Sequence, residues 1–208
     1  SRGLGDVYKR QHLGTFVGQL TQEPIKAINI LYDGSVSSMN LEALNCSVIA
    51  GIMRTSNPDI NLVSAPIVAK DRGIKISTTT QDKSGVFAAY IKVTVVTETM
   101  ERSVAGTVFS DDKPRFIQIK GINIDAEVGQ QMLYTTNLDT PGIIGVLGKT
   151  MAENGVNIAN FTLGRSRVGG EAIALLYLDT PITNEIRNIL LSTGVFNQVR
   201  ALEFDVNY

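Results

Sequence analysis

Cysteine and histidine are almost absent from this 208-residue chain, which contains one of each, Cys46 and His12. A single thiol allows no internal disulfide, no Cys-x-x-Cys metal site and no iron–sulfur cluster held by cysteines. The sequence therefore excludes the disulfide-rich and iron–sulfur classes of protein, and we expect no metal site.

An excess of charge of one sign and a long apolar run are also missing. Nineteen Lys and Arg residues balance 20 Asp and Glu residues, for a net charge of -1, so no basic field gathers nucleic acid or anionic lipid. The clearest charge-free apolar run, residues 43–53, is too short to cross a bilayer, and no charged-then-apolar leader opens the chain. We expect a cytoplasmic protein with neither nucleic-acid nor membrane partners.

The first eleven residues, SRGLGDVYKRQ, differ in composition from everything that follows them. They read codon by codon like a translated sequencing-library adapter, so we predict that residues 1–11 are not native and exclude them from the fold. An adapter joined directly to coding sequence would mean that the natural N-terminus is missing. A segment without an evolved partner surface is expected to be disordered or packed only by accident.

The second part of the chain contains an internal repeat. The tripeptide Asp-Thr-Pro at residues 139–141 recurs at residues 179–181, and each copy lies between an apolar strand pattern and a helical pattern. In the first copy, Thr140 is the predicted N-cap and Pro141 takes the first helical position. Two such βαβ units in tandem predict a ferredoxin-like βαββαβ domain over residues 128–208.

The first helix of this repeat has a predicted sheet-facing side. Ile144, Leu147 and Met151 recur at three- and four-residue spacing, which predicts a buried apolar stripe. Gly145 and Gly148 are predicted to let the helix approach the sheet closely. The three glycines at 142, 145 and 148 lie inside this helical pattern and do not follow a strand end, so we predict no dinucleotide site and no cofactor in this chain.

Residues 12–127 show a different, mixed pattern and end in a short polar hinge. Their β-branched and aromatic runs, punctuated by turn residues, predict an α+β protein with a mixed α/β domain ahead of the repeat domain. The predicted elements are a strand at 25–32, helices at 40–54 and 65–71, one hairpin from 86–97 and 101–109, and a second from 115–119 and 122–124.

Two stretches resemble known domains. NLDTPGIIGVLGKTMAENGVNIANFTLGRS, residues 137–166, resembles the ACT domain that closes many D-3-phosphoglycerate dehydrogenases. GQLT at 18–21 and NLVSAPIVAKDRGIKI at 61–76 are similar to the intervening, or allosteric substrate-binding, domain of the long form of that enzyme. The resemblance implies a C-terminal regulatory fragment of an NAD-dependent oxidoreductase of L-serine biosynthesis. It places the catalytic residues and the NAD site in domains outside this chain.

In that family, a neighbouring pair of ACT domains binds L-serine, the pathway end product, for feedback inhibition. The resemblance places the ligand-facing positions on Asn137, Asp139 and Asn157, with Gly142 keeping the backbone open to the ligand. Some family members carry His at the position of Asn137. The chemistry agrees, because a zwitterion needs a carboxylate for its ammonium and N–H donors for its carboxylate. The implied partners are L-serine and a second copy, in a homodimer through the ACT domains or a tetramer.

Simpler interpretations of these residues stay open. Asp139 is also stabilising merely by preceding a helix, and Asn157 merely begins a strand. The runner-up function is an ACT-type sensor of another amino acid, fused to or acting on a different enzyme. The third hypothesis is an autonomous iron–sulfur serine dehydratase. The single cysteine, Cys46, argues against it because an iron–sulfur cluster is held by several cysteines.

A second candidate site lies in the mixed domain. The family suggests phosphate or a phosphorylated substrate as an effector there, and Lys113 and Arg115 are the best candidates for this anion site. A guanidinium group binds two phosphate oxygens at once, which favours Arg115. The alternative is that both are solvated surface charges balanced by Asp71, Asp111 and Asp112.

Overall fold

The computed structural model describes residues 2–83, 89–108 and 113–206, with side chains at 11–83, 89–107 and 113–206. The chain divides after Lys120 into two units, a few residues before the predicted boundary at 127. The strand at Ile122–Glu127 belongs to the second unit, where Thr162 Oγ1 donates a hydrogen bond to the carbonyl oxygen of Asp125 at 3.3 Å.

The first unit is a mixed α/β unit with five strands. Their order in the sheet is β2-β1-β3-β4-β5; β2 is parallel to β1 and the other neighbours are antiparallel. Its elements are α1 (Arg2–Leu20), β1 (Ala27–Gly34), a 3-10 turn (Ser35–Ser38), α2 (Leu41–Arg54), α3 (Ser64–Asp71), β2 (Lys75–Gln81), β3 (Ala89–Val96), β4 (Glu101–Val108) and β5 (Pro114–Ile119).

Most predicted elements of this unit occur close to their predicted bounds, and the predicted strand residues 86–88 and 109 lie outside the described residues. The sequence analysis did not delimit β2 and did not predict α1. The side chains of β2 are exposed or half-buried along its whole length. Its sequence, KISTTTQ, therefore lacks the alternation of apolar and polar residues that reveals a half-buried strand.

Helix α1 runs through the segment for which disorder was expected. Its backbone is helical from Arg2, and Gln11 is buried where its Oε1 accepts a hydrogen bond from Arg54 Nη1 at 3.2 Å. Once the first turn of a helix has formed, adding further residues to it costs little free energy. The packed part here, from Gln11 to Leu20, includes Phe16 and Val17 of the core. That residues 1–11 are not native stays a prediction.

Helices α1 and α2 pack backbone to backbone. A methyl group added at Gly18 would lie 2.5 Å from the carbonyl oxygen of Ile52, and one added at Gly51 would lie 2.5 Å from that of Gln11. Gly14 is as closely covered by Val48. The absence of side chains at three glycines therefore sets the distance between the two helices.

The second unit confirms the predicted βαββαβ fold. Its sheet has the order β10-β7-β9-β8, with every neighbouring pair antiparallel. The elements are β6 (Ile122–Glu127), β7 (Gln131–Leu138), α4 (Ile143–Glu153), β8 (Ile158–Arg165), β9 (Glu171–Leu178), α5 (Asn184–Ser192) and β10 (Phe196–Glu203).

The two helices of the repeat begin differently. Helix α5 begins at a side-chain cap, because Thr183 Oγ1 accepts a hydrogen bond from the N–H of Ile186 at 3.2 Å. The predicted cap of α4, Thr140, is wrong: its hydroxyl donates to the carbonyl oxygen of Leu138, and the N-cap is Gly142, with φ of 96°. A left-handed residue ends the preceding turn there, so α4 has no side-chain cap.

The buried stripe of α4 is also shifted from its predicted position. Ile143, Leu147 and Met151 are buried in the core beneath the helix, whereas Ile144 is 56% exposed. A methyl group at Gly145 or Gly148 would meet nothing within 4 Å. The prediction that these glycines bring α4 close to the sheet is therefore wrong. They lie on an open surface of the helix.

Candidate ligand-binding site

A cavity of about 420 Å³ opens in the second unit where β7 ends, α4 begins and β8 ends. This volume lies within the usual range for sites that bind small molecules. Three of the four residues predicted to bind serine line it: Asn137, Asp139 and Gly142. The fourth, Asn157, does not.

The topology of the repeat brings these residues together. Strands β7 and β8 are both antiparallel to β9, so they run parallel to each other and their carboxyl ends lie at the same edge of the sheet. Asp139 follows the last residue of β7, and Arg165 is the last residue of β8. Helix α4 begins a few residues after Asp139, and its amino end therefore completes the cavity.

Asp139 is fixed by two donors at one of its oxygens. Its Oδ2 accepts hydrogen bonds from Arg165 Nη1 at 2.8 Å and from the N–H of Gly169 at 3.1 Å. The Arg165 hydrogen bond, followed by that of Gly169, lowers the pKa of the Asp139 carboxyl below its usual value. Asp139 is therefore ionised at neutral pH, and no hydrogen bond within the described residues uses its Oδ1.

Asn137 contributes a buried acceptor that has no donor. The residue is 2% exposed, and its Nδ2 donates to the carbonyl oxygen of Leu138 at 2.6 Å. Its Oδ1 is buried and has no hydrogen-bond partner within the described residues. A buried acceptor without a partner costs free energy, and such atoms are rare in folded proteins. The covering of this oxygen means that a ligand reaches it only if the Asn137 side chain turns toward the cavity.

The amino end of α4 supplies donors. The N–H of Val146 binds the carbonyl oxygen of Gly142 at 3.0 Å and closes the first turn. The backbone N–H groups ahead of it have no acceptor inside the helix, and they carry the positive end of the helix dipole. With no side-chain cap at Gly142, this end of α4 can receive an anionic group.

Sequence reasoning missed three residues of the site. Arg165 lines the cavity with its side chain 53% exposed, and Ile144 and Leu163 line it as exposed apolar side chains. The βαββαβ topology was the available signal for Arg165, because it makes the end of β8 a neighbour of the end of β7.

Asn157 lies at the opposite edge of the sheet. It is exposed, immediately precedes β8, and its Nδ2 donates to Asp179 Oδ2 at 2.7 Å. The eight residues of β8 separate this edge from the cavity, a distance of roughly 25 Å. One copy of the chain therefore does not bring Asn157 to the other predicted residues.

The predicted anion site lies in the first unit. Lys113 is exposed ahead of β5, and Arg115 pairs with Thr107 across the β4–β5 ladder. Of the acids of the alternative interpretation, Asp71 is the last residue of α3, and Asp111 and Asp112 lie outside the described residues. Neither Lys113 nor Arg115 lines the cavity described above, and the anion site stays a prediction.

A second cavity, of about 590 Å³, lies in the first unit between the ends of α1 and α2. Its carboxylate, Glu23, already accepts hydrogen bonds from the hydroxyl groups of Thr97 and Thr99. Within the described residues, no buried polar side-chain atom without a hydrogen bond lines it. It is therefore a weaker candidate than the cavity at Asp139.

No group of three His, Cys, Asp or Glu side chains within the described residues is placed to hold a metal ion. No helix in the same ranges combines the length and the apolar character that crossing a bilayer requires.

Comparisons with known proteins identify the family. The family model of the D-3-phosphoglycerate dehydrogenase intervening domain matches residues 7–120, so the match begins inside the segment predicted to be non-native. D-3-phosphoglycerate dehydrogenase of Bacillus subtilis is 29% identical over 85% of this chain and 35% of the relative. Those of Methanocaldococcus jannaschii and Synechocystis are 28% and 31% identical, over 84% and 82% of this chain and 33% and 31% of the relatives.

The chain thus spans about a third of the length of these relatives. The family model covers more than half of the chain, and each of these relatives carries the same name. The chain therefore belongs to the D-3-phosphoglycerate dehydrogenase intervening-domain family.

Proposed function

We propose that this chain is the regulatory part of a D-3-phosphoglycerate dehydrogenase, an NAD-dependent oxidoreductase of L-serine biosynthesis, and that its second unit binds L-serine for feedback inhibition. The observation that carries the proposal is the cavity lined by an ionised Asp139, by Asn137 and by the amino end of α4. Catalysis and NAD binding belong to domains outside the chain.

The groups at this cavity complement a free amino acid. Asp139 Oδ1 is an acceptor for an ammonium group, which brings three donors, and Asn137 Oδ1 becomes a second one if its side chain turns toward the cavity. The N–H groups at the start of α4 are donors for a carboxylate, and hydrogen bonds to charged groups are about twice as strong as neutral ones. Serine satisfies both ends, and the family resemblance supports it among the amino acids.

A second copy of the chain completes the site. Ile144 and Leu163 are 56% and 44% exposed beside the cavity, and neighbouring exposed apolar side chains are typical of contact surfaces. Strand β8 is the terminal strand of its four-stranded sheet. If two copies of β8 pair antiparallel about a two-fold axis, Asn157 of a second copy lies beside Asp139. This arrangement accounts for the distance between Asn157 and the other predicted residues.

Calorimetric titration of the purified chain with L-serine tests the proposal. We expect binding in the wild type and at least about tenfold weaker binding in Asp139→Asn, which keeps the shape of the side chain but removes its charge. Glu153→Gln is the matched control, because it removes an exposed carboxylate at the other end of α4. Unchanged affinity in Asp139→Asn would contradict the assigned role of this carboxylate.

Two further measurements separate the proposal from its alternatives. Sedimentation should show that serine tightens the dimer, because coupling between ligand and partner is reciprocal. Equal binding to monomer and dimer would contradict the shared site. If titration with a panel of amino acids finds a tighter ligand than serine, the chain is instead a sensor of that amino acid.

A further inference from the structure

Arg165 is the one cationic side chain among the described residues that line the cavity at Asp139. A guanidinium group has five N–H donors in a rigid, planar arrangement. In this structure Nη1 binds Asp139 Oδ2 at 2.8 Å, and no other hydrogen bond of the Arg165 side chain occurs within the described residues. Most of its donors are therefore available to a second acceptor.

The ion pair occupies one oxygen of the Asp139 carboxylate and leaves the other oxygen open. Arg165 and the N–H of Gly169 both bind Oδ2 of Asp139, which leaves Oδ1 for a donor from the ligand. The buried Oδ1 of Asn137 is a second acceptor without a partner. The cavity thus offers one free carboxylate oxygen, Asp139 Oδ1, together with the remaining donors of Arg165 and the amino end of α4.

The fold around Arg165 does not depend on its side chain. The β8–β9 turn is closed by backbone hydrogen bonds from Ser166 to Glu171 at 2.8 Å and from Gly170 to Arg167 at 2.9 Å. The N–H of Asp139 also binds the carbonyl oxygen of Gly170 at 2.8 Å. These bonds hold the turn against the end of β7 without the guanidinium, whose side chain is half exposed.

We propose that Arg165 binds the carboxylate of the ligand and makes the cavity selective for molecules that carry an ammonium and a carboxylate on one carbon atom. This inference rests on the proposed function, since it concerns the same cavity, and it adds a specificity-determining residue outside the predicted set. The carboxylate lies between the guanidinium and the N–H groups of α4, while the ammonium binds Asp139.

The test compares an amino acid with its amide in matched variants. Serinamide keeps the ammonium and the hydroxyl of serine but replaces the carboxylate by a neutral group. Arg165→Gln removes the guanidinium, and Arg167→Gln is the control, because it removes an exposed arginine from the same turn without lining the cavity. Titrations at about pH 6.5 keep the amine of both ligands protonated.

We expect Arg165→Gln to weaken serine binding by about 10- to 100-fold, the range for a lost hydrogen bond between charged groups. Serinamide should bind the wild type and Arg165→Gln equally, and Arg167→Gln should change neither affinity. Arg165→Lys, which keeps the charge but loses the planar arrangement of donors, should recover only part of the serine affinity.

Two outcomes would overturn the role of Arg165. If Arg165→Gln leaves serine affinity unchanged, the guanidinium does not bind the carboxylate. If serine and serinamide lose affinity by the same factor, Arg165 acts only by positioning Asp139. Failure of the proposed function gives a different result: the wild-type chain would bind another amino acid of the panel more tightly than serine. The same variants are then measured with that amino acid and its amide. If no amino acid binds, both proposals are wrong.

Discussion

Replacing Gly14 by alanine tests whether the glycines of α1 and α2 determine how closely these helices pack. A methyl group at Gly14 would overlap the carbonyl oxygen of Val48 and lie 3.0 Å from the backbone nitrogen of Ile52. Both atoms belong to the backbone of α2, so no side-chain rotation relieves the overlap. The helices must separate, and the contacts of the buried Phe16 and Val17 loosen with them.

The expected effect is the difference between two terms. Overpacking a well-packed interface costs about 1–3 kcal/mol, and replacing a helical glycine by alanine returns about 0.5–1 kcal/mol. Because the overlap is with backbone atoms, the overpacking cost lies at the upper end of its range, about 3 kcal/mol, and we expect Gly14→Ala to lower the free energy of unfolding of the first unit by about 2–2.5 kcal/mol. With a urea slope of about 1–3 kcal/mol per molar, the midpoint falls by roughly 0.7–2.5 M.

Gly148→Ala is the matched control for this prediction. It makes the same substitution inside α4, where a methyl group would meet nothing within 4 Å. The second unit should therefore gain about 0.5–1 kcal/mol. Urea unfolding followed by circular dichroism measures both variants. A Gly14→Ala midpoint equal to or above that of the wild type would refute the account of α1–α2 packing.

Two further predictions concern the second unit. Since Arg165 and Gly169 lower the pKa of Asp139 in the folded chain, the ion pair is intact above the usual carboxyl pKa and is lost only as the pH falls through the lowered value. Serine affinity, measured by calorimetry, should thus stay constant from pH 7 to about pH 5; a midpoint inside this range would contradict the Asp139 assignment. Thr183→Ala removes the α5 cap and should cost about 0.5–2 kcal/mol in urea unfolding, whereas an unchanged midpoint would show that the cap contributes nothing.

The repeat domain was predictable because its two copies carry the same local signals. Asp-Thr-Pro, the helical spacing and the closing glycines Gly155 and Gly194 agree with one another, and both glycines have the left-handed conformation that ends a helix. The start of α4 was mispredicted because Thr140 and Pro141 are good starting residues in themselves. The left-handed Gly142 delays the helix, and a sequence pattern does not reveal the sign of a glycine φ.

The candidate site was only partly predictable for a similar reason. Asn137 and Asp139 follow from their place at the end of β7, next to the residues that resemble the ACT pattern. The ion pair to Arg165 depends on strand order, which becomes visible only when β7, β8 and β9 are placed in one sheet. The packing of α1 on α2 likewise depends on contacts between helices that are distant in sequence, so Gly14 and Gly51 carried no signal.

If the proposed serine site is shared between two copies, the position of Asn157 at the far end of β8 makes serine binding depend on the concentration of the protein. Each chain would contribute Asp139 and Arg165 to one serine site at the carboxyl end of β8. It would contribute the Asn157 amide to a second site at the amino end of the same strand. A two-fold dimer would then complete two equivalent sites at once, and dissociation of the dimer would leave both sites incomplete. The apparent affinity for serine would therefore fall on dilution. The serine concentration at half saturation would depend on the concentration of the protein.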